Sequence, residues 1–298
     1  MTRPSNSLRG FTLIEMIMVI VITGVIAGMV AIFIKGPVDS YIDMARRAEL
    51  TDIADTAVRR MARDIRLALP NSSRQPADGS DQCIEFMPTK SGGRYRAAQT
   101  GASTGDILNV GAVDASFDML GLNGGLPAAE QLAAGDVVVV SNLSHLDTDT
   151  TNNAYAGGNA IRILSTGAGD TANTTKINFV AAGATLFALK ALPSAWPAYR
   201  FQVLPAAEQV VSYACNIGSG TLLRYSRDIR ARTTMWATPA TCAAMTAAPT
   251  AVATLANHVS SCSIVYNSNS GIVSISLAAT ESGETVNLYH QVHVDNPP

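Results

Sequence analysis

The residues able to do chemistry gather at the N-terminus. Arg9-Gly10-Phe11-Thr12-Leu13-Ile14-Glu15 opens an apolar run that continues to Ile34, and Glu15 is the one charged side chain in that run. A carboxylate deep in an apolar membrane helix costs about 2.5–3.5 kcal/mol, so it calls for a partner. A positive charge arises if the chain is cut after Gly10, because Phe11 then carries a free amine. Gly10 has no Cβ and leaves the bond open to close backbone approach. Glu15 stands four residues beyond Phe11, about one helical turn, so amine and carboxylate can pair and offset the burial. The chemistry read here is done to the chain rather than by it.

Elsewhere no catalytic constellation emerges. His145, His258, His290 and His293 make no HExxH spacing. His290 and His293 fall three apart on an expected strand and so point to opposite faces; they read as surface or core residues. No P-loop or GxGxxG is present, and the serines form no arguable triad. Asp147-Thr148-Asp149, with Asn152 and Asn153, offers oxygen ligands and makes Asp147 and Asp149 a weak calcium candidate. The run lacks the glycine and terminal glutamate of an EF-hand loop, which favours a solvated loop. Trp196 reads as a core residue at a strand start rather than an adhesive one. No catalytic residue, metal site or cofactor is therefore assigned, and the chain is read as non-enzymatic. A net charge of −2 gives no reason to expect a nucleic-acid partner.

The elements that must position the N-terminal site follow from periodicity. Residues 11–34 make a helix of about 36 Å, enough to cross a bilayer with some tilt. Residues 1–10, with Arg3 and Arg9, read as a leader held in the cytoplasm by its positive charge. A cut ahead of the apolar run leaves the mature chain anchored, with the remainder outside the inner membrane. The alternative is an uncut signal anchor whose Glu15 snorkels to the interface. Gly24 and Gly28 have the GxxxG spacing that admits close helix approach in lipid. Gly36-Pro37 is expected to break or kink the helix at the membrane exit.

From 38 to 69 the pattern is amphipathic. Leu50, Ala54, Ala57, Val58, Met61, Ile65 and Ala68 form an apolar stripe. Arginines concentrate toward the C-terminal end, where the helix dipole favours them, and Pro70-Asn71 stops the helix. The expected divisions are a leader at 1–10, a transmembrane helix at 11–36, an amphipathic helix at 37–70 and a β-rich head at 71–298.

In the head the period changes to two. Strands are expected at 83–87, 94–97, 137–140, 160–164, 176–180, 199–204, 209–215 and 221–225, with a C-terminal antiparallel meander over 261–266, 272–278 and 285–294. Residues 98–105, 147–159 and 233–250 read as polar loops. The four cysteines, Cys83, Cys215, Cys242 and Cys262, all follow the membrane segment and form no CxxC. An even number on the outer side of a membrane reads as two disulfides. Three pairings are open; Cys215 with Cys242 and Cys83 with Cys262 is the one favoured.

Gly10-Phe11-Thr12-Leu13-Ile14-Glu15, behind a short basic leader and ahead of a long apolar run, resembles the cleavage motif of type IV prepilins and type II secretion pseudopilins. The resemblance implies cleavage after Gly10 and N-methylation of Phe11 by a prepilin peptidase. It implies that Glu15 sets register during assembly. It further implies an α+β fold, a long N-terminal helix packed on an antiparallel β-rich head. The implied partners are the inner membrane, an assembly platform and other major and minor pilins. More narrowly, residues 56–66, Leu69-Pro70-Asn71-Ser72, Gly92-Gly93-Arg94-Tyr95-Arg96 and His290-Gln291-Val292-His293-Val294-Asp295-Asn296 are similar to the O-type minor pilins of the mannose-sensitive haemagglutinin pilus. J-type minor pseudopilins of type II secretion share the large β head. A membrane-anchored periplasmic enzyme or sugar-binding module is the reading of a different class.

Overall fold

The computed structural model describes residues 10–100, 104–193 and 199–294. The first long element is helix α1 (Leu13–Arg66). Contacts divide the chain between Glu49 and Leu50 into two compact units.

In the first unit, α1 is long and apolar enough to cross a membrane. Every residue from 11 to 34 is exposed, Phe11 and Leu13 at 86% and 79%. An unbroken apolar helix with no protein around it needs lipid or other apolar helices for its surface. The break expected at Gly36-Pro37 does not occur, because Pro37 lies inside α1. Proline forfeits one helical hydrogen bond and crowds the preceding turn, at about 3 kcal/mol.

In the second unit, the remaining turns of α1 bury Leu50, Ala54, Ala57, Val58, Met61, Ala62 and Ile65. The stripe read from spacing is thus the buried face. It packs on Ile84, Phe86, Val211, Tyr213, Leu222, Ile264, Ile275 and Leu277. Each fully buried large apolar side chain contributes about 1.5–3 kcal/mol, so this seam anchors the helix. Polar contacts reinforce it. Asp64 Oδ2 accepts from the Tyr213 hydroxyl at 2.7 Å and from Arg224 Nε at 3.0 Å, while Arg224 donates to both oxygens of Glu208 at 2.9 Å.

Thirteen strands follow among the described residues, in chain order. They are β1 (Cys83–Phe86), β2 (Ser91–Arg94), β3 (Ser116–Leu120), β4 (Val137–Val139), β5 (Ala160–Ala168), β6 (Thr174–Phe179), β7 (Arg200–Leu204), β8 (Val210–Asn216) and β9 (Thr221–Arg227). A short helix, α2 (Cys242–Thr246), leads to β10 (Ala251–Ala256), β11 (Val259–Asn267), β12 (Ile272–Glu281) and β13 (Glu284–His293). They make three antiparallel sheets, ordered β1-β8-β9-β10, β11-β12-β13 and β2-β7-β4-β5-β6-β3. The six-stranded sheet has its own aromatic core, in which Phe117 packs against Tyr95, Phe179 and Phe201. The α+β class and the C-terminal meander are as expected.

Several details differ. The strand expected at 94–97 begins earlier, at Ser91. A Cβ at Gly92 would come within 2.9 Å of the Phe201 carbonyl oxygen and one at Gly93 within 2.8 Å of the Phe201 ring, so the close strand approach favours glycine at both. β3 breaks the apolar alternation because Asp118 sits buried in its middle, accepting from the Asp106 and Asp170 amides. β10 is obscured in the sequence because its alanines carry little strand propensity. α2 falls inside the stretch read as loop.

The favoured disulfide pairing is corrected. The bridges join Cys83 to Cys242 and Cys215 to Cys262. Strand alternation explains this. Cys83 lies opposite Ala214 across β1 and β8, so these two share a face, and there they meet Met245 and Cys242 of α2. Cys215, one residue on, points to the other face and packs among the α1 core residues with Cys262.

Candidate functional site

The N-terminal site is built on a helix start. Thr12 precedes the first helical residue, Leu13. Its backbone amide and its hydroxyl both donate to Glu15 Oε2 at 3.0 Å, and the Glu15 amide donates back to Thr12 Oγ1 at 3.4 Å. This reciprocal arrangement satisfies two of the four amides that a helix start leaves without partners. It also turns the Glu15 carboxylate toward the N-terminal end of the helix, with one oxygen, Oε2, already engaged. A carboxylate here is favoured by the positive end of the helix dipole. Gly10 and Phe11 are exposed, and a Cβ at Gly10 would meet nothing within 4 Å. The Gly10–Phe11 bond is therefore sterically open, and a cut there would place an amine one turn from the held carboxylate. The capping box was visible in the sequence as Thr-x-x-Glu ahead of an apolar run, but the burial cost of Glu15 drew the reading instead. Gly24 and Gly28 stand clear of any neighbouring atom and keep the GxxxG face open.

A second polar centre was not foreseen. Arg74 and Glu85 form an ion pair at 2.7 Å whose side chains are 1% and 0% exposed. Glu85 also accepts from the Trp236 indole at 3.1 Å and from the Ser212 hydroxyl at 3.3 Å. Arg74 reaches the carbonyls of Trp236 and Ala237, and its guanidinium lies 3.6 Å over the Tyr155 ring. Arg227 donates to Ser212 Oγ and to the carbonyls of Met245 and Ala247. Every polar atom named is paired, so the cluster staples the stretch between β9 and β10 to β1 and β8. Its members come from positions 74, 85, 212, 227 and 236, and no local spacing links them.

The calcium candidates are engaged otherwise. Asp147 accepts from the Thr238 amide and hydroxyl and lies 3.7 Å from Arg74, while Asp149 caps its own turn through the Thr151 and Asn152 amides. No group of three or more metal-ligating side chains occurs among the described residues. His145 is half-buried beside this centre. Burial first, then the Arg74 charge, push its pKa below the usual imidazole value. His258 and His293 are exposed; His290 is half-buried on the opposite face of β13 from His293. Trp196 and residues 1–9 lie outside the described residues.

A family model described as the prokaryotic N-terminal methylation motif matches residues 6–31. No curated protein matches the chain, and no solved structure does either. The motif supports a type IV pilin-like or pseudopilin-like protein. It implies processing by a prepilin peptidase and assembly with other pilins, and it fits a membrane-anchored chain of structural function.

Proposed function

We propose that the chain is a minor pilin of a type IV pilus of the mannose-sensitive haemagglutinin class. It helps to initiate or cap the fibre, packing through its N-terminal helix and presenting its head to other minor subunits or to an adhesin. The observation that carries this reading is the N-terminal arrangement. An open Gly10-Phe11 bond, a carboxylate held one turn away by Thr12 and a wholly exposed apolar helix fall together where the methylation motif matches. The large head and the likeness of the 56–66 and 290–296 segments to O-type minor pilins support the narrower assignment. The chain resides first in the inner membrane with its head in the periplasm, and then in the fibre at the cell surface. The assembly platform and the peptidase are its transient partners. The motif serves type II secretion equally well, so a J-type minor pseudopilin is the second reading.

The test is the intact mass and N-terminal peptide of the protein from native membranes. A chain beginning at methylated Phe11 is expected; one retaining Met1–Gly10 in cells that have the peptidase refutes the proposal. Co-purification with pilus rather than secretion components separates the two assignments. Glu15→Ala is expected still to insert in the membrane, yet to be lost from fibres. Normal fibre incorporation of that variant would refute the amine–carboxylate pairing.

A further inference from the structure

A cleft of 400 Å³ lies between α1 and β13, lined by Arg59, Ala62, Arg63, Arg66, Leu67 and His290. Arg59, Arg63 and Arg66 recur at steps of four and three, so they share one face of the helix. Arg59 is held by Asp55 at 2.6 Å. Arg63 and Arg66 are exposed, and their guanidinium groups make no hydrogen bond or ion pair among the described residues. His290 Nε2 is buried and without a hydrogen-bond partner. The negative end of the helix dipole accounts for arginines in the last turn. It does not account for an unpartnered nitrogen on His290 of the cleft wall, nor for Leu67 left 53% exposed at the same cleft. Two unpaired guanidiniums, an orphan ring nitrogen and an apolar wall describe a seat for a carboxylate carried on an amphipathic segment.

We propose that this cleft receives the acidic stretch of helix that follows the apolar run in an adjacent pilin-type subunit. This rests on the pilin reading above. Charge complementarity argues for that occupant. In this chain residues 38–56 hold five acids and two arginines, a net charge of −3, whereas residues 57–67 hold four arginines and one acid, a net charge of +3. Helices of this pattern repel when aligned side by side in register. They attract when displaced along their axes, so that one chain's acidic stretch faces the next chain's arginines. The cleft is the receiving half of such a displaced contact.

The test places a photo-crosslinker in the cleft without removing a cation, as Leu67→p-benzoylphenylalanine in the full-length chain in cells. Irradiated fibres are expected to yield a crosslink mapping to the acidic stretch after the apolar run of another pilin subunit. Arg63→Glu with Arg66→Glu is expected to lower its yield about tenfold; both side chains are exposed, so the fold is kept. Crosslinks confined to the chain itself, or a yield unchanged by the charge reversal, overturn the proposal while the chain still enters fibres. A chain that keeps Met1–Gly10 and never enters fibres overturns both this proposal and the pilin reading.

Discussion

Glu85→Gln tests the buried ion cluster most directly. The substitution keeps size and shape but removes the charge facing Arg74, whose side chain is 1% exposed. An amide presents one oxygen where the carboxylate presented two. With its oxygen at the Oε1 position it sets its NH₂ against the Ser212 hydroxyl and the Trp236 indole, and in the flipped orientation it sets the NH₂ against Arg74. Breaking a buried ion pair from one side costs about 3–5 kcal/mol, because the surviving charge stays dry and unpaired. Asp147, 3.7 Å from Arg74 and 38% exposed, softens the loss only toward the lower end of that range. For a unit of this size, about 2–4 °C accompanies each kcal/mol, so the melting temperature should fall by about 6–20 °C. The assay is thermal and urea unfolding of the full chain in detergent micelles, followed by circular dichroism. Trp236 emission in a Trp196→Phe background supplies a local probe, since the Trp236 indole donates to Glu85. Replacing the pair together, as Arg74→Met with Glu85→Leu, should cost less than Glu85→Gln alone. A Glu85→Gln protein within about 1 kcal/mol of the parent, with Trp236 emission unchanged, would refute the reasoning.

Two further outcomes follow from the same geometry. Asp64→Asn removes the charged acceptor of Tyr213 and Arg224 and should lower stability by about 1–3 kcal/mol; urea midpoints check it, and no change would mean that the apolar seam alone holds α1. His145 has a pKa lowered by burial and by Arg74 from an ordinary 6.5. The neutral ring is thus favoured in the fold, and its stabilisation is complete above about pH 6.5 and lost as pH falls through the lower folded-state value. His145→Gln should therefore flatten the decline in melting temperature between pH 7 and pH 5.

Legibility in the sequence tracked how local the determining physics is. The N-terminal motif, the stripe from Leu50 to Ala68 and the long C-terminal strands declare themselves through spacing, and they are where spacing placed them. The break expected at Gly36-Pro37 is absent because α1 carries Pro37 within it, at the cost of one helical hydrogen bond. β3 was hidden by a buried Asp118 whose partners, the Asp106 and Asp170 amides, are remote in sequence. The disulfide partners depended on which face of β8 each neighbour shows, and that requires the register with β1. Arg74 and Glu85 look like ordinary surface charges until Trp236, more than 150 residues from Glu85, closes over them. The Thr12–Glu15 box is legible as Thr-x-x-Glu ahead of an apolar run.

The two bridges also bear on how the chain matures. In sequence order the cysteines are first, second, third and fourth, and the bridges join first to third and second to fourth. A head that emerges from its membrane anchor in sequence order delivers Cys83 and Cys215 to an oxidising compartment before either native partner arrives. The earliest bond open to it is therefore one the folded sheet forbids, because these two thiols leave opposite faces of the pleat. Production in hosts with and without a disulfide isomerase should show whether the head's yield is set by that rearrangement.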